Sequence, residues 1–475
     1  MPQPGNSSDK SARQPRMIRR RDFLALLGAG TLVGQASSLY CGTAGPRRPN
    51  IIVILSDDHG YAEVGYQGCK DVPTPNIDSI AGNGVQFTDG HVSCPVCSPT
   101  RAGLVTGRYQ HRFGHEFNPG PPTTANEDFG LPLSQITIAD LVKEAGYTTG
   151  MVGKWHLGLK PQFHPMKRGF QEYFGFLHGA HDYFNAKADS NNPILRGTEA
   201  VDEKEYLTDA FSREAVAFIE RHRKEPFFLY VTPNAIHSPM QAPQKYLDRF
   251  ANIVDTKRRT FAAQLSALDD LVGAALRKLR DSGIEEDTLI FFLGDNGGPT
   301  PSTTSNNTPL RGFKSQLLEG GHRVPFALQW KRRIPGGQVY RQMVSSLDIL
   351  PTVVAAAGGT LPKDRPMDGV DLVPYLTGEK KTPPHEFLFW RQADRHAVRM
   401  GEWKLLVDGS QPQLFDLSKD IGENKDLAQQ QPDKVKEMSQ AFDRWNAEMI
   451  APLWKTAARG GQQALKQGKN RVRKP

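Results

Sequence analysis

Four stretches of this chain share one pattern, and that pattern leaves few folds open. Ile51-Ile52-Val53-Ile54-Leu55 ends in Ser56-Asp57-Asp58, and Thr148-Thr149-Gly150-Met151-Val152 runs into Gly153-Lys154-Trp155-His156. Phe227-Phe228-Leu229-Tyr230-Val231 precedes Asn234 and His237, and Leu289-Ile290-Phe291-Phe292-Leu293 precedes Gly294-Asp295-Asn296. An apolar run without polar alternation reads as a strand covered on both faces, the usual state of strands in a parallel sheet. Parallel strands need crossovers, and helical patterns lie between the runs. Residues 138–145 have helical spacing and stop at Gly146, while Phe261, Leu265, Leu268, Leu271, Val272, Ala275 and Leu279 stripe a helix over 258–280. Residues 346–353 predict another, with Pro351 in its early part. The expected fold is α/β, a large, mainly parallel sheet flanked by helices, with polar chemistry gathered at the C-terminal strand ends.

The character changes near Pro383. Residues 397–400, 403–407 and 414–416 read as short antiparallel strands turned by Gly401-Glu402 and Asp408-Gly409-Ser410, and a helix over 432–449 follows. A smaller C-terminal α+β domain on a short antiparallel sheet is expected, and 475 residues suffice for both. The net charge of +8 sits at the ends. Residues 1–46 carry six Lys/Arg against two Asp/Glu and residues 455–475 carry seven against none, so the body is net acidic. That distribution argues against a nucleic-acid partner. Arg20-Arg21-Asp22-Phe23-Leu24 is a twin-arginine pattern, and the apolar run from Phe23 to Val33 is too short to span a bilayer. Residues 1–45 therefore read as an export signal for the twin-arginine translocation machinery, placing the protein in the periplasm or outside the cell. The expected division is then a large N-terminal domain over 47–380, a C-terminal subdomain over 383–454, and a basic, disordered tail over 455–475.

The most specific stretch is Cys97-Ser98-Pro99-Thr100-Arg101, continuing Ala102-Gly103-Leu104-Val105-Thr106-Gly107. Pro99 fits the first turn of a helix, where its missing N–H costs nothing. Cys97 would then sit at a helix N-terminus, where free amides and the dipole favour an anion such as sulfate. Arg101 falls one turn later on the same face. Asp57, Asp58, Asp295 and Asn296, brought together above a sheet, make a hard-oxygen site suited to Ca²⁺, with Mg²⁺ second. Lys154 and His156 alternate about Trp155, which puts both on one side of an extended segment. Each feature alone has a plainer reading: a buried thiol, turn-capping carboxylates, a structural His237. Cys69 and Cys94 read as one disulfide or two buried thiols.

The Cys97 block resembles the signature of type I sulfatases, arylsulfatase-like members of the alkaline phosphatase superfamily. The likeness spans roughly Pro49 to Leu427, with Leu414-Phe415-Asp416-Leu417 and Glu423-Asn424 carrying it into the small domain. It implies an alkaline phosphatase-like fold and conversion of Cys97 to Cα-formylglycine by a formylglycine-generating enzyme or sulfatase maturase. It implies that Asp57, Asp58, Asp295 and Asn296 hold the cation, and that Lys154 contacts sulfate and formylglycine. His156 would be the base on the aldehyde hydrate, while His237 and Lys314 contact the ester oxygen and protonate the leaving alcohol. Residues 163–192, with His178, His181, Asp182 and Tyr183, read as a loop-rich insertion beside the site. With Arg311 and Arg168 they are candidate substrate contacts, and their polar and aromatic character suits a sulfated carbohydrate. The alternatives are a phosphate or phosphonate ester hydrolase of the same superfamily, and an inactive binder of sulfated glycans with Cys97 unmodified.

Overall fold

A computed structural model describes residues 48–120, 129–187, 189–409 and 411–454. The expected export signal and basic tail lie outside these residues. At the centre is a ten-stranded sheet. Asn50–Ser56 pairs in parallel with Phe227–Thr232 on one side and Thr288–Gly294 on the other. Thr148–Lys154 adds to Phe227–Thr232, and Glu172–Phe176 to Thr148–Lys154, both parallel. The apolar runs are thus neighbours, with Ser56 opposite Gly294 and Gly153 opposite Thr232.

Alternate residues of these strands feed separate cores on the two faces, which is why the runs show no polar positions. Ile52, Ile54, Leu229, Val231, Ile290 and Phe292 face Leu207–His222 and Thr256–Asp281. Ile51, Val53, Phe228, Tyr230, Leu289 and Phe291 face Ile138–Glu144, Ile349–Ala356 and the Cys97–Thr106 helix. Each such buried side chain contributes about 1.5–3 kcal/mol. The long helix starts at Thr256 because Asp255 accepts from the amide of Arg258 at 2.7 Å. Thr137 and Asp140 form a capping box at Ile138–Glu144. The segment expected as one helix over 346–353 divides into a 3-10 turn, Ser346–Asp348, and the helix Ile349–Ala356.

The sheet is mixed at its margins. Phe326–Gln329 runs antiparallel to Thr288–Gly294, and Val85–Phe87, Gln338–Tyr340, Leu195–Arg196 and Glu199–Ala200 extend the edges. These strands are two to four residues long, too short to show a period in sequence.

Phe387–Gln392, Arg395–Met400, Trp403–Val407 and Gln413–Asp416 form the C-terminal antiparallel sheet. One face packs Val398, Leu405 and Leu414 on Met438, Phe442 and Trp445 of Pro432–Asn446. The other packs Trp390, Ala397, Leu406 and Phe415 on Leu317 and Met343. Cys69 and Cys94 are unpaired thiols. Among the described residues, no helix is long and apolar enough to cross a membrane.

Candidate active site

Asp57 and Asp58 leave the end of one central strand, and Asp295 and Asn296 leave its neighbour, so four oxygen-bearing side chains meet without help from a long loop. The Asp58 amide donates to Asp295 Oδ1 at 3.1 Å, and Asn296 Nδ2 donates to Asp58 Oδ1 at 2.8 Å. Asp58 and His156 both adopt left-handed backbone, with φ of 62° and 60°. Residues bearing a Cβ seldom do so, and such conformations collect at functional sites.

Cys97 is the first residue of the buried helix Cys97–Thr106, as its sequence predicts. Its Sγ lies 3.6 Å from Asp57 Oδ1 and 4.0 Å from Asp58 Oδ1. Arg101 does lie one turn on, but its guanidinium is committed to the carboxylate behind. Nε and Nη2 donate to Asp295 Oδ2 at 3.1 and 2.8 Å, and Nη1 donates to the Lys154 carbonyl at 3.0 Å. Lys154 Nζ is 2.6 Å from Asp57 Oδ2, Lys314 Nζ is 2.6 Å from Asp58 Oδ1, and His237 Nε2 is 3.6 Å from Asp58 Oδ2. His237 Nδ1 lies 2.6 Å from the Ser238 carbonyl, which only accepts. Nδ1 therefore carries a hydrogen, and Nε2 is the nitrogen presented to the site.

Ligand atoms of Asp57, Asp58, Cys97 and His237 lie within 4.8 Å of one another. Asn296 Oδ1 is buried without a partner beside them. Buried carboxylates with a spare amide oxygen are the donor set a hard dication requires, so these residues fit a divalent cation. The three carboxylates Asp57, Asp58 and Asp295 face three basic side chains, Arg101, Lys154 and Lys314.

Burial pushes the Asp57 carboxyl up, but Lys154, His237, Arg101 and Lys314 outweigh it and hold the group well below the usual carboxylate range. Asp295 goes the other way, raised by burial and by Asp57. Burial pushes the Cys97 thiol up to about 12, with Lys154 and Lys314 pulling against it. An unmodified thiol there is protonated at neutral pH and a weak nucleophile. Burial, then Lys154, Arg101, His178 and Lys314, hold His156 well below the usual histidine range, so its imidazole is neutral. Its Nδ1 is buried and unpartnered.

The site opens on one side. The side chains of His237 and Lys314 keep 16% and 18% exposure, whereas Asp57, Lys154 and Arg101 keep 0–1%. Residues 177–187 and 189–192 of the loop-rich stretch lie beside that opening. Asn192 clamps it by accepting from the His178 amide and donating to the Ala180 carbonyl, both at 3.0 Å. The Tyr183 hydroxyl lies 2.7 Å from the Asn234 carbonyl and 2.8 Å from that of His237, tying the insertion to the His237 turn. The His178 ring sits 6.0 Å from that of His156, and the Nε2 atoms of His178 and His181 are buried without partners.

Two candidates are placed elsewhere. Arg168 is buried and donates to the carbonyls of Leu131, Pro132 and Gln135, so its guanidinium is a structural clamp. Arg311 is exposed, with its guanidinium 5.7 Å over the Phe415 ring of the small sheet.

Gly179 lies directly against the candidate base: a Cβ there would fall 2.6 Å from His156 Nε2. Gly179→Ala is therefore expected to rotate the imidazole, lowering kcat by about 10²-fold with little change in Tm. Steady-state kinetics beside a melting curve check this, and an unchanged kcat would show that the ring has room to spare.

Sequence reasoning missed Ser98, His115 and Asn118 as parts of the site. The Ser98 hydroxyl lies 2.6 Å from the His156 carbonyl and 2.7 Å from His115 Nε2, and the Ser98 amide donates to Asn118 Oδ1. No local signal marks them, because a chain reversal after the Cys97 helix brings them back.

Residues 49–359 match the family model described as Sulfatase, and residues 313–448 match one described as N-sulphoglucosamine sulphohydrolase, C-terminal. The chain belongs to the sulfatase family, within the alkaline phosphatase superfamily, and is a sulfuric ester hydrolase. It is 35% identical over 392 residues to the N-acetylgalactosamine-6-sulfatase of Canis lupus familiaris, covering 78% of this chain and 73% of that one. To arylsulfatase A of Homo sapiens it is 33% identical over 451 residues, covering 82% and 85%. Among solved structures, Ps i-CgsB in complex with k-i-k-neocarrahexaose superposes with a TM-score of 0.83 at 36% identity, covering 90% of this chain and 98% of that one. The phosphonate monoester hydrolase of Agrobacterium radiobacter shares the fold, with a TM-score of 0.62 at 18% identity over 85% of this chain and 96% of that one.

Proposed function

We propose that this chain is an exported sulfatase that removes sulfate from a sulfated glycan. It uses Cα-formylglycine made from Cys97 and a divalent cation, Ca²⁺ before Mg²⁺, held by Asp57, Asp58, Asp295 and Asn296. The observation that carries the reading is the approach of Cys97 Sγ to Asp57 and Asp58 between two lysines. Residues 47–380 are the catalytic part in this reading and 383–454 the C-terminal subdomain, and the Arg20-Arg21 pattern supports export.

Bound cation supplies Lewis-acid polarisation of a sulfuryl oxygen and makes a charge-balanced centre net positive, which favours an anionic ester. Formylglycine hydrate would supply one hydroxyl as nucleophile, its proton passing to a neighbouring carboxylate as the O–S bond forms, and a second whose deprotonation expels sulfate by elimination and restores the aldehyde. The chain's own residues do the rest. Lys154 and Lys314 flank position 97 and hold the sulfate oxygens. His156, neutral and with Nδ1 unpartnered, accepts the proton. His237 Nε2 and Lys314 Nζ stand on the open side, where the alcohol departs; Lys314, or His237 when both its nitrogens carry hydrogen, supplies its proton. Arg101 orients Asp295, and through it the amide of Asp58.

A glycan as substrate is supported by relatives: Ps i-CgsB holds a neocarrahexaose, and another relative is named for N-acetylgalactosamine 6-sulfate. His178 and His181, whose Nε2 atoms lack partners beside the opening, are the proposed sugar contacts.

Protein purified from its own producer is expected to show a Cys97 peptide about 18 Da lighter than encoded. Dialysis against EDTA should abolish hydrolysis of sulfated oligosaccharides, and Ca²⁺ should restore it. Phosphate esters assayed in parallel should turn over far more slowly. An encoded-mass peptide in active enzyme, full activity in EDTA, or preference for phosphate would each overturn the corresponding part.

A further inference from the structure

We propose that Trp454 is a positioning residue for catalysis, acting through His115 and Ser98 on both residue 97 and His156. The inference rests on the reading that those two residues carry sulfate ester hydrolysis.

Ser98 links His115 to both residue 97 and His156. Its hydroxyl lies 2.6 Å from the His156 carbonyl, which only accepts, so the hydroxyl donates there and accepts from His115 Nε2 at 2.7 Å. His115 therefore carries its hydrogen on Nε2. Burial, which holds this imidazole down at about 3, keeps it neutral. Its other nitrogen, Nδ1, is buried with no well-formed hydrogen bond, and the Gly130 carbonyl acts on the ring only weakly against burial, so packing does much to fix it. That packing is Trp454, whose indole meets the His115 ring edge-on at 4.7 Å.

Trp454 also reaches Ser98 by a second route. Its Nε1 donates to the carbonyls of Phe117 and Asn118 at 3.1 Å, and Asn118 Oδ1 accepts from the Ser98 amide at 3.0 Å. The surrounding backbone is built for this docking. Ile450 N donates to the His111 carbonyl and Leu453 N to that of Gly114. Gly114 has a φ of 71°, and a Cβ there would lie 2.8 Å from Leu453 Cγ. A segment near the C-terminus thus braces the first turn of the Cys97 helix and the carbonyl of the candidate base together. It lies beyond residue 448, where the family match ends, so nothing in that match assigns it a role.

Displacing a reacting group by about 1 Å costs roughly 10²-fold in rate without weakening substrate contacts elsewhere. The test uses the full chain carrying Trp454→Ala, Trp454→Phe, His115→Ala, and the Trp454→Ala/His115→Ala pair. Each is assayed for kcat and KM on a sulfated oligosaccharide, for the mass of the Cys97 peptide, and for folded fraction at the assay temperature. Trp454→Ala and His115→Ala are expected to lower kcat about 10–100-fold with KM within about twofold and conversion of Cys97 at the wild-type level. Trp454→Phe keeps an aromatic edge against His115 and should recover most of the loss. The pair should be no slower than the slower single variant, because both act on one path. Wild-type kcat in folded Trp454→Ala, a loss confined to KM, a loss explained by unfolded protein, or additive effects in the pair would overturn the inference. Wild-type protein with no sulfate ester hydrolysis would instead sink the function proposed above, and this inference with it.

Discussion

Enzyme carrying Cys97→Ser is expected to release one equivalent of alcohol per active site and then stop. A serine hydroxyl at the head of the Cys97–Thr106 helix stands over the same carboxylates and between the same lysines, so the first sulfuryl transfer retains its setting. In the proposed mechanism, what the substitution removes is the second hydroxyl that the formylglycine hydrate would carry on the same carbon. Without it no elimination can expel sulfate, and release must wait for water to attack a sulfur that the site does not present to water. Steady-state turnover should fall by more than about 10³-fold while the first turnover survives. A rapid-quench measurement would show a stoichiometric burst of alcohol, and the position-97 peptide would gain about 80 Da. Cys97→Ala should show no burst. Repeated turnover by Cys97→Ser would remove the reason for an aldehyde in this site.

The second large effect concerns stability. Between the main body and the small sheet lies a buried array of three acids and three bases: Asp89, Glu319 and Glu423 against Arg323, Arg399 and Lys404. Glu319 is at its centre, fully buried, with Arg399 at 2.7 Å, Lys404 at 3.0 Å and Arg323 at 3.4 Å. Glu319→Gln keeps the shape and leaves the array with one unbalanced positive charge away from water. Removing one member of a buried ion pair costs about 3–5 kcal/mol, and unfolding entropy scales with chain length, so Tm should drop by roughly 3–5 °C. Calorimetry checks this, and a shift under about 1 °C would mean that water reaches the array.

The pH sense follows from the same partners. Burial alone would raise Glu319 and Asp89. Arg399 and Lys404 at Glu319, and Arg323 and Arg399 at Asp89, hold both below the usual carboxylate range instead. Groups depressed in the folded state contribute their full stability above the ordinary carboxylate pKa and lose it as pH falls through the lower, folded value. The difference in Tm between wild type and Glu319→Gln should therefore hold from neutral pH into the mild acid range and narrow only at lower pH.

Much of the site was legible because its residues follow strands that announce themselves. Asp57, Lys154 and Asp295 each lie within two residues of the end of a run that no half-exposed strand would show, and neighbours in a parallel sheet end level. The antiparallel strand Phe326–Gln329 and the two-residue edge strands carry no comparable period, because their burial is set by what covers them. The role of Arg168 was misread for a related reason: a guanidinium in a loop looks the same in sequence whether it faces ligand or backbone carbonyls.

Apart from His237 and Lys314, which only the family resemblance offered, sequence by itself determined the parallel core, the place of Cys97 at a helix start, and the strand-end residues beside it. Those are consequences of local pattern, since burial on both faces, a proline in the first turn and a strand end leave their mark on adjacent positions. Tertiary structure alone decided that Arg101 serves Asp295, that Gly179 lies against His156, and that Trp454 reaches Ser98 through His115. Such contacts join residues far apart in the chain, and their geometry depends on how loops close over the sheet, which no periodicity records.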